Sequence, residues 1–382
     1  MPDFVHVRDH RIDLLRGIAL VMIFINHIPG TIWENVTSRN FGFSDAAEGF
    51  VLMSGIATGL AYGAPFLNGR PTWAQALRPW RRALTLWLVH VLVVSLIAVL
   101  FWLTRDQTGI LEMADKRNIL PVLNDPARYL PALVLMGHQF AYADILPLYI
   151  ILMLCAPAIL FLAVRCPVAV IFGSVFLWLV VGLAKLKMPT YPLDYGWFFN
   201  PLAWQVLFVT GIVTGLLLRQ GRRLLPVRTW AVRLAIGFLI LSAIWVQIPA
   251  VADWGGHMLW LLYEYAGFPA VLTSFDKSFL YLPRLLHILA LAYVLSILPV
   301  VRRLAALPAL APLVMLGRHS LPVFATSTVL AYGAQVIKSI YGPPSVPLDT
   351  TLILTGLAVL FALAKAYDRR KWQRPLPVIA VA

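Results

Sequence analysis

Runs of about 20 predominantly apolar residues recur along the chain, separated by polar, proline-rich or basic connections. Ten such runs can be drawn, at 12–32, 45–64, 82–104, 143–164, 167–186, 201–218, 230–249, 280–300, 310–335 and 349–367. Each has the length that a helix needs to cross a bilayer. With 60% hydrophobic and 13% charged residues and a mean hydropathy of +0.80, an ordinary soluble domain is excluded. The expectation is an all-α polytopic integral membrane protein with about ten transmembrane helices. Residues 1–382 read as one transmembrane domain with no internal repeat or low-complexity run.

The net charge of +14 does not point to nucleic acid, because Lys and Arg come in short bursts between apolar runs, as orientation signals do. Placing the N-terminus inside puts most of the 31 Lys and Arg on the cytoplasmic side, Arg219, Arg222 and Arg223 among them, with both termini cytoplasmic. The basic N-terminal stretch is followed by a long run with no small-residue cleavage site, so the first run reads as an uncleaved span. Cys155 and Cys166 imply no disulfide framework. Three connections, 105–142, 187–200 and 249–279, are long enough to hold structure of their own. Their Trp and Tyr residues, among them Tyr191, Tyr195, Trp197, Trp254 and Trp260, suit either an interfacial belt or a stacking platform for sugar rings.

Ionisable residues inside apolar runs are costly and point to function. Arg16 and His27 lie eleven residues apart in the first run. On an α-helix that spacing brings both side chains to one face, about 16 Å apart along the axis. Histidine is poised near neutral pH without tuning, so His27 is the candidate general base. Arg78, Arg81 and Arg82 at the start of the third run form with Arg16 a basic group of the kind that holds phosphates, although positive-inside anchoring explains any one of them alone.

The second run opens on Asp45-x-x-Glu48, a capping box, followed by Gly55, Gly59 and Gly63 at the spacing of close helix packing. Glu48 also suits a carboxylate that orients His27, which would make it catalytic. If it is only a cap, glutamine should replace it with little loss. Asp276, Lys277, Arg284 and His287 gather at the entrance to the eighth run, and Asn200 and Gln205 flank Trp204 at the start of the sixth. These polar groups, with Asp45, could hold a hydroxylated acceptor or act as glue between helices. A Walker loop, a dinucleotide fingerprint, a HExxH pair and a GxSxG elbow are all absent from the sequence.

The blocks RIDLLRGIALVMIFINHIPG, FSDAAEGFVLMSG, DILPLYIILMLCAP, WFFNPLAWQ, DKSFLYLPRLLHILALAY and LGRHSLPVF together resemble the OpgC family of bacterial inner-membrane proteins over nearly the whole chain. That family lies within a wider superfamily of transmembrane acyltransferases marked by an arginine, ten residues and a histidine in the first span. Arg16 and His27 match this signature, and Arg78-x-x-Arg81 matches a second pattern at span three.

The resemblance implies transfer of a succinyl group from cytoplasmic succinyl-CoA, or another acyl-CoA, onto glucose hydroxyls of osmoregulated periplasmic glucans. It calls for no metal, no redox cofactor and no permanently bound group. The expected partners are the acyl-CoA, the periplasmic glucan and the lipid bilayer, with oligomeric state left open. Two other readings remain at this stage. One is an acyltransferase with a different donor or a lipid or exopolysaccharide acceptor; the other is a transporter or flippase using Arg16, His27 and Glu48 as a relay.

Overall fold

The structure is a computed structural model that describes residues 9–69, 71–192, 194–341 and 345–372, with side chains up to Arg369. The two chain ends, placed in the cytoplasm by the sequence reading, lie outside the described residues. The described residues form helices and no strand. In chain order the principal helices are α1 (His10–Asn26), α2 (Ala46–Tyr62), α3 (Arg78–Thr104), α4 (Ile145–Arg165), α5 (Pro167–Leu183) and α6 (Pro201–Arg219). They continue with α7 (Thr229–Gln247), α8 (Pro249–Glu264), α9 (Leu282–Ile297), α10 (Pro299–Ala306), α11 (Ala311–Arg318), α12 (Ser320–Tyr341) and α13 (Val346–Trp372).

Every one of the ten apolar runs contains a helix, but among the described residues six helices are long and apolar enough to cross a membrane by themselves: α3, α4, α6, α7, α12 and α13. The principal helices of the other four runs are shorter, with 16 or 17 residues each. α1 stops after 17 residues because Pro29 and Gly30, the latter at φ +79°, cannot continue it. α2 and α5 also have 17 residues and α9 has 16. The ninth run is broken at His319 between α11 and α12. Connection 105–142 carries three short helices, and 249–279 carries α8 and one further helical turn, so both hold structure of their own as their lengths imply.

The described residues divide into two compact units, one formed by those within 9–34 and 298–372 and the other by those within 35–297. In the first, α1 lies against α11 at backbone distance: a Cβ on Gly17 would stand 2.0 Å from the Leu313 carbonyl oxygen, and one on Gly317 would stand 1.8 Å from that of Asp13. Gly356 of α13 likewise makes room for the Phe24 ring. Helices in an apolar solvent gain little from hydrophobic burial against one another, so close backbone approach through small residues holds them together.

The second unit is built around α2 and α6 by the same device. Gly55 and Gly59 face Gly211 and Gly215, and a Cβ at any of the four would fall 2.2–2.4 Å from a carbonyl oxygen of the facing helix. The Tyr149 hydroxyl on α4 donates to the Phe50 carbonyl of α2 at 2.9 Å, and Trp80 of α3 donates to the Leu154 carbonyl of α4 at 2.8 Å. α7 is different: only 6% of its apolar stretch is buried, so most of its surface is left for lipid.

Candidate functional site

In the first unit α1 carries Arg16 and His27 as one continuous helix. It runs from His10 to Asn26 with His27 as its C-cap residue, still in right-handed helical geometry. The one-face relation and the rise of about 16 Å therefore hold for this pair. The His27 end is fixed through main-chain carbonyls: Gln335 donates its amide to the His27 carbonyl at 2.6 Å, and the Lys338 ammonium donates to the Pro29 carbonyl at 3.0 Å.

Lys338 also pairs with Asp349 at 2.8 Å, both side chains being almost wholly buried, and Trp33 donates its indole N–H to Thr350 at 3.0 Å. Gln335, Lys338 and Asp349 were not singled out in the sequence. The signal was a lysine near the end of an apolar run with an aspartate opening the next, which reads as ordinary span flanks.

The other end of α1 holds a second polar group in the same unit. Buried Asp13 lies 3.9 Å from Arg318, and His319 meets Asp368 at 3.1 Å. The break between α11 and α12 places Arg318 and His319 there.

In the second unit the start of α2 is a charge cluster. The capping box forms as expected: Asp45 accepts from Ala47 N–H at 2.8 Å, and Glu48 Oε2 accepts from Asp45 N–H at 3.0 Å. Glu48 is fully buried, and its other oxygen, Oε1, receives Arg284 Nε at 2.7 Å and Arg284 Nη2. Lys277 reaches Asp45 Oδ2 at 2.5 Å, while Arg284 stands 3.6 Å from the same oxygen. Two carboxylates and two cations thus neutralise one another where isolated charges would be costly.

His287, one turn beyond Arg284, takes a 2.6 Å hydrogen bond between its Nδ1 and the Ser44 hydroxyl. Its Nε2 lies over Gly42, where a Cβ would come within 1.9 Å. Asp276 accepts from Phe279 N–H at 2.9 Å and so closes the turn that leads into α9. The structure therefore brings together Asp45, Glu48, Arg284 and, through Ser44, His287.

The three polar positions around the start of α6 are engaged by the protein itself. Asn200 is buried as the N-cap residue of α6, accepting from Leu202 N–H at 3.4 Å and donating to the Leu186 carbonyl at 2.7 Å. Trp204 is fully buried and donates to the Lys277 carbonyl at 3.0 Å. Gln205 exchanges two hydrogen bonds with Ser174 of α5, at 2.5 and 2.8 Å. Arg78, Arg81 and Arg82 lie within the first five residues of α3, Arg78 and Arg81 exposed and Arg82 half-buried.

Outside the apolar runs, His138 in the 105–142 connection is buried, and its Nε2 meets the Asn118 carbonyl at 2.6 Å. Burial holds its pKa below the usual value of 6.5, and the bond to Asn118 only partly offsets this.

No curated protein and no solved structure matches the chain significantly. A family model described as OpgC protein matches residues 8–372, nearly the whole length. Together with six helices fit to cross a membrane, this makes a multi-pass membrane protein with an acyltransferase-type function. The chain belongs to the OpgC protein family.

Proposed function

We propose that this protein is an O-acyltransferase of the bacterial inner membrane, moving a succinyl group from cytoplasmic succinyl-CoA to glucose hydroxyls of osmoregulated periplasmic glucans. The observation that carries the reading is the Arg16–His27 pair on α1, a cation and an imidazole one half-bilayer apart on the same helix face. His27 takes the proton of the acceptor hydroxyl. The resulting alkoxide adds to the thioester carbonyl, the tetrahedral intermediate collapses to the new ester, and the departing thiolate recovers the proton from the imidazolium.

Arg16 and the Arg78, Arg81 and Arg82 group serve the phosphates of the donor. Three arginines within the first five residues of α3 form a basic group whose guanidinium forks suit phosphates. The acceptor is assigned to the cluster of Asp45, Asp276, Arg284 and His287, with Asn200, Trp204 and Gln205 supporting it from the start of α6. Glu48 is proposed as a carboxylate that stabilises charge during transfer. All ten apolar runs count as spans in this reading, with both termini cytoplasmic.

The test is transfer of radiolabel from succinyl-CoA to glucan by protein purified and reconstituted in liposomes. His27→Ala should abolish transfer and leave expression and insertion intact, because an apolar residue eases insertion of the first run. Transfer by well-folded His27→Ala would remove the base assignment. Label moving from acetyl-CoA but not succinyl-CoA would change the acyl group, and glucan movement without any label would favour a transporter.

A further inference from the structure

A cavity of about 240 Å³ opens in the second unit where α4 ends, α5 begins and α6 ends. Its walls are apolar, from Leu67, Val164, Val213, Leu216 and Leu217, while Gln220 and Arg222 stand at its polar edge. Two neighbouring arginines are already engaged by helix ends. Arg165 donates to the Phe161 carbonyl at 2.9 Å, and Arg219 donates to the Leu60 carbonyl at 2.5 Å, offsetting the negative ends of those helices.

Arg222 has no such duty. Among the described residues its guanidinium has no carboxylate or carbonyl partner, and it is exposed. Nor does the local sequence supply a counter-charge. Between Asp144 and Asp253 there are eight Lys and Arg but a single acid, Asp194, which lies in the α5–α6 connection at the other end of those helices.

We propose that this cavity holds one anionic phospholipid, part of an acyl chain lying against the apolar walls and the phosphate on Arg222. The apolar walls at a helix-end boundary select a lipid chain, and the uncompensated arginine selects a negative headgroup over a zwitterionic one. A guanidinium suits phosphate because it offers two parallel N–H donors. The inference is independent of the catalytic reading, since neither His27 nor any proposed donor or acceptor residue lines the cavity.

Native mass spectrometry of the detergent-purified full chain, titrated with dioleoyl phosphatidylglycerol or dioleoyl phosphatidylcholine, tests it. The wild type should retain one phosphatidylglycerol at least about tenfold better than phosphatidylcholine, a difference of roughly 1.4 kcal/mol. Arg222→Gln, an exposed change that keeps the fold, should remove that preference, and Leu217→Trp should lower occupancy by both lipids by filling the cavity from its rim. Arg302→Gln, an exposed arginine on α10, is the control and should behave as wild type.

Equal retention of the two lipids by the wild type, or an unchanged preference in Arg222→Gln, would overturn the proposal. So would displacement of the retained lipid by a coenzyme A thioester analogue, which would make the cavity part of the donor site. If Leu217→Trp fails to fold, the Arg222→Gln result decides alone.

Discussion

The C-terminal end of α1 and the N-terminal end of α2 both face the problem of polar groups in an apolar chain, and they solve it differently. At the end of α1, a glutamine and a lysine donate to the carbonyls of His27 and Pro29, so the backbone is fixed by groups outside the helix. At the start of α2, the side chains of Asp45 and Glu48 are themselves the fixing groups, locked to Lys277 and Arg284. Backbone anchoring positions a residue without drawing on its side chain, whereas a charge lock makes the side chain part of the structure. Substitutions at the two ends should therefore separate activity from stability in opposite ways.

The largest effect is expected at Arg284. Arg284→Ala leaves Glu48 fully buried with its main cation gone, and breaking a buried pair from one side costs about 3–5 kcal/mol. Thermal unfolding in detergent should show a large loss of stability, and the double variant Arg284→Met with Glu48→Leu should recover much of it. If the single variant melts like wild type, α2 is not held by charge and the contrast with α1 fails.

Glu48→Gln comes next. A mere cap should tolerate glutamine, but Glu48 uses both oxygens, one for Arg284 and one for Asp45 N–H, and glutamine has a single acceptor oxygen. One buried partner is left unsatisfied, at about 1–3 kcal/mol. The capping-box pattern implies near-wild-type stability for this change because it does not contain the partner 236 residues away. Thermal stability should fall even where transfer persists. Unchanged stability with lowered turnover would instead favour the catalytic role proposed for this carboxylate.

What could be read in advance follows the same division. Apolar runs, the capping box and the glycine stripe at Gly55 and Gly59 depend on local spacing, and all appear in the structure. The matching Gly211 and Gly215 form another G-x-x-x-G, but inside an apolar run that spacing alone does not say which helix it faces. The pairing of Glu48 with Arg284, the bond from Gln335 to the His27 carbonyl and the burial of Trp204 are products of tertiary packing, and no local pattern encodes them. Run length also overstated helix length, because the limits set by Pro29 with Gly30 and by the break at His319 act on backbone geometry rather than hydropathy.

Gln335→Ala tests the α1 side at a smaller scale. One hydrogen bond to a carbonyl is worth about 1 kcal/mol, so stability should change little. If this bond positions His27, kcat should fall by several-fold with KM for the donor near wild type, and Gln335→Asn, too short to reach, should not rescue it. A fall in stability with unchanged kcat would show that the bond only holds helices together.

The smallest effect is expected outside both helix ends, at His138, where burial rather than a charge partner sets the protonation state. Its pKa in the folded protein lies below 6.5, so the unfolded chain binds the proton first as pH falls. The contribution of this residue is therefore intact above about pH 6.5 and shrinks as pH drops below it, until the folded form also protonates. The ring donates from Nε2 to the Asn118 carbonyl at 2.6 Å and packs edge-on to Tyr129, so the loss should be local to the 105–142 connection. Hydrogen exchange of that segment, corrected for intrinsic rates, should accelerate between about pH 7.5 and about pH 5.5. His138→Gln does not titrate and should flatten the response. If the acceleration persists in that variant, another group carries it, and the connection is held by something other than a neutral buried imidazole.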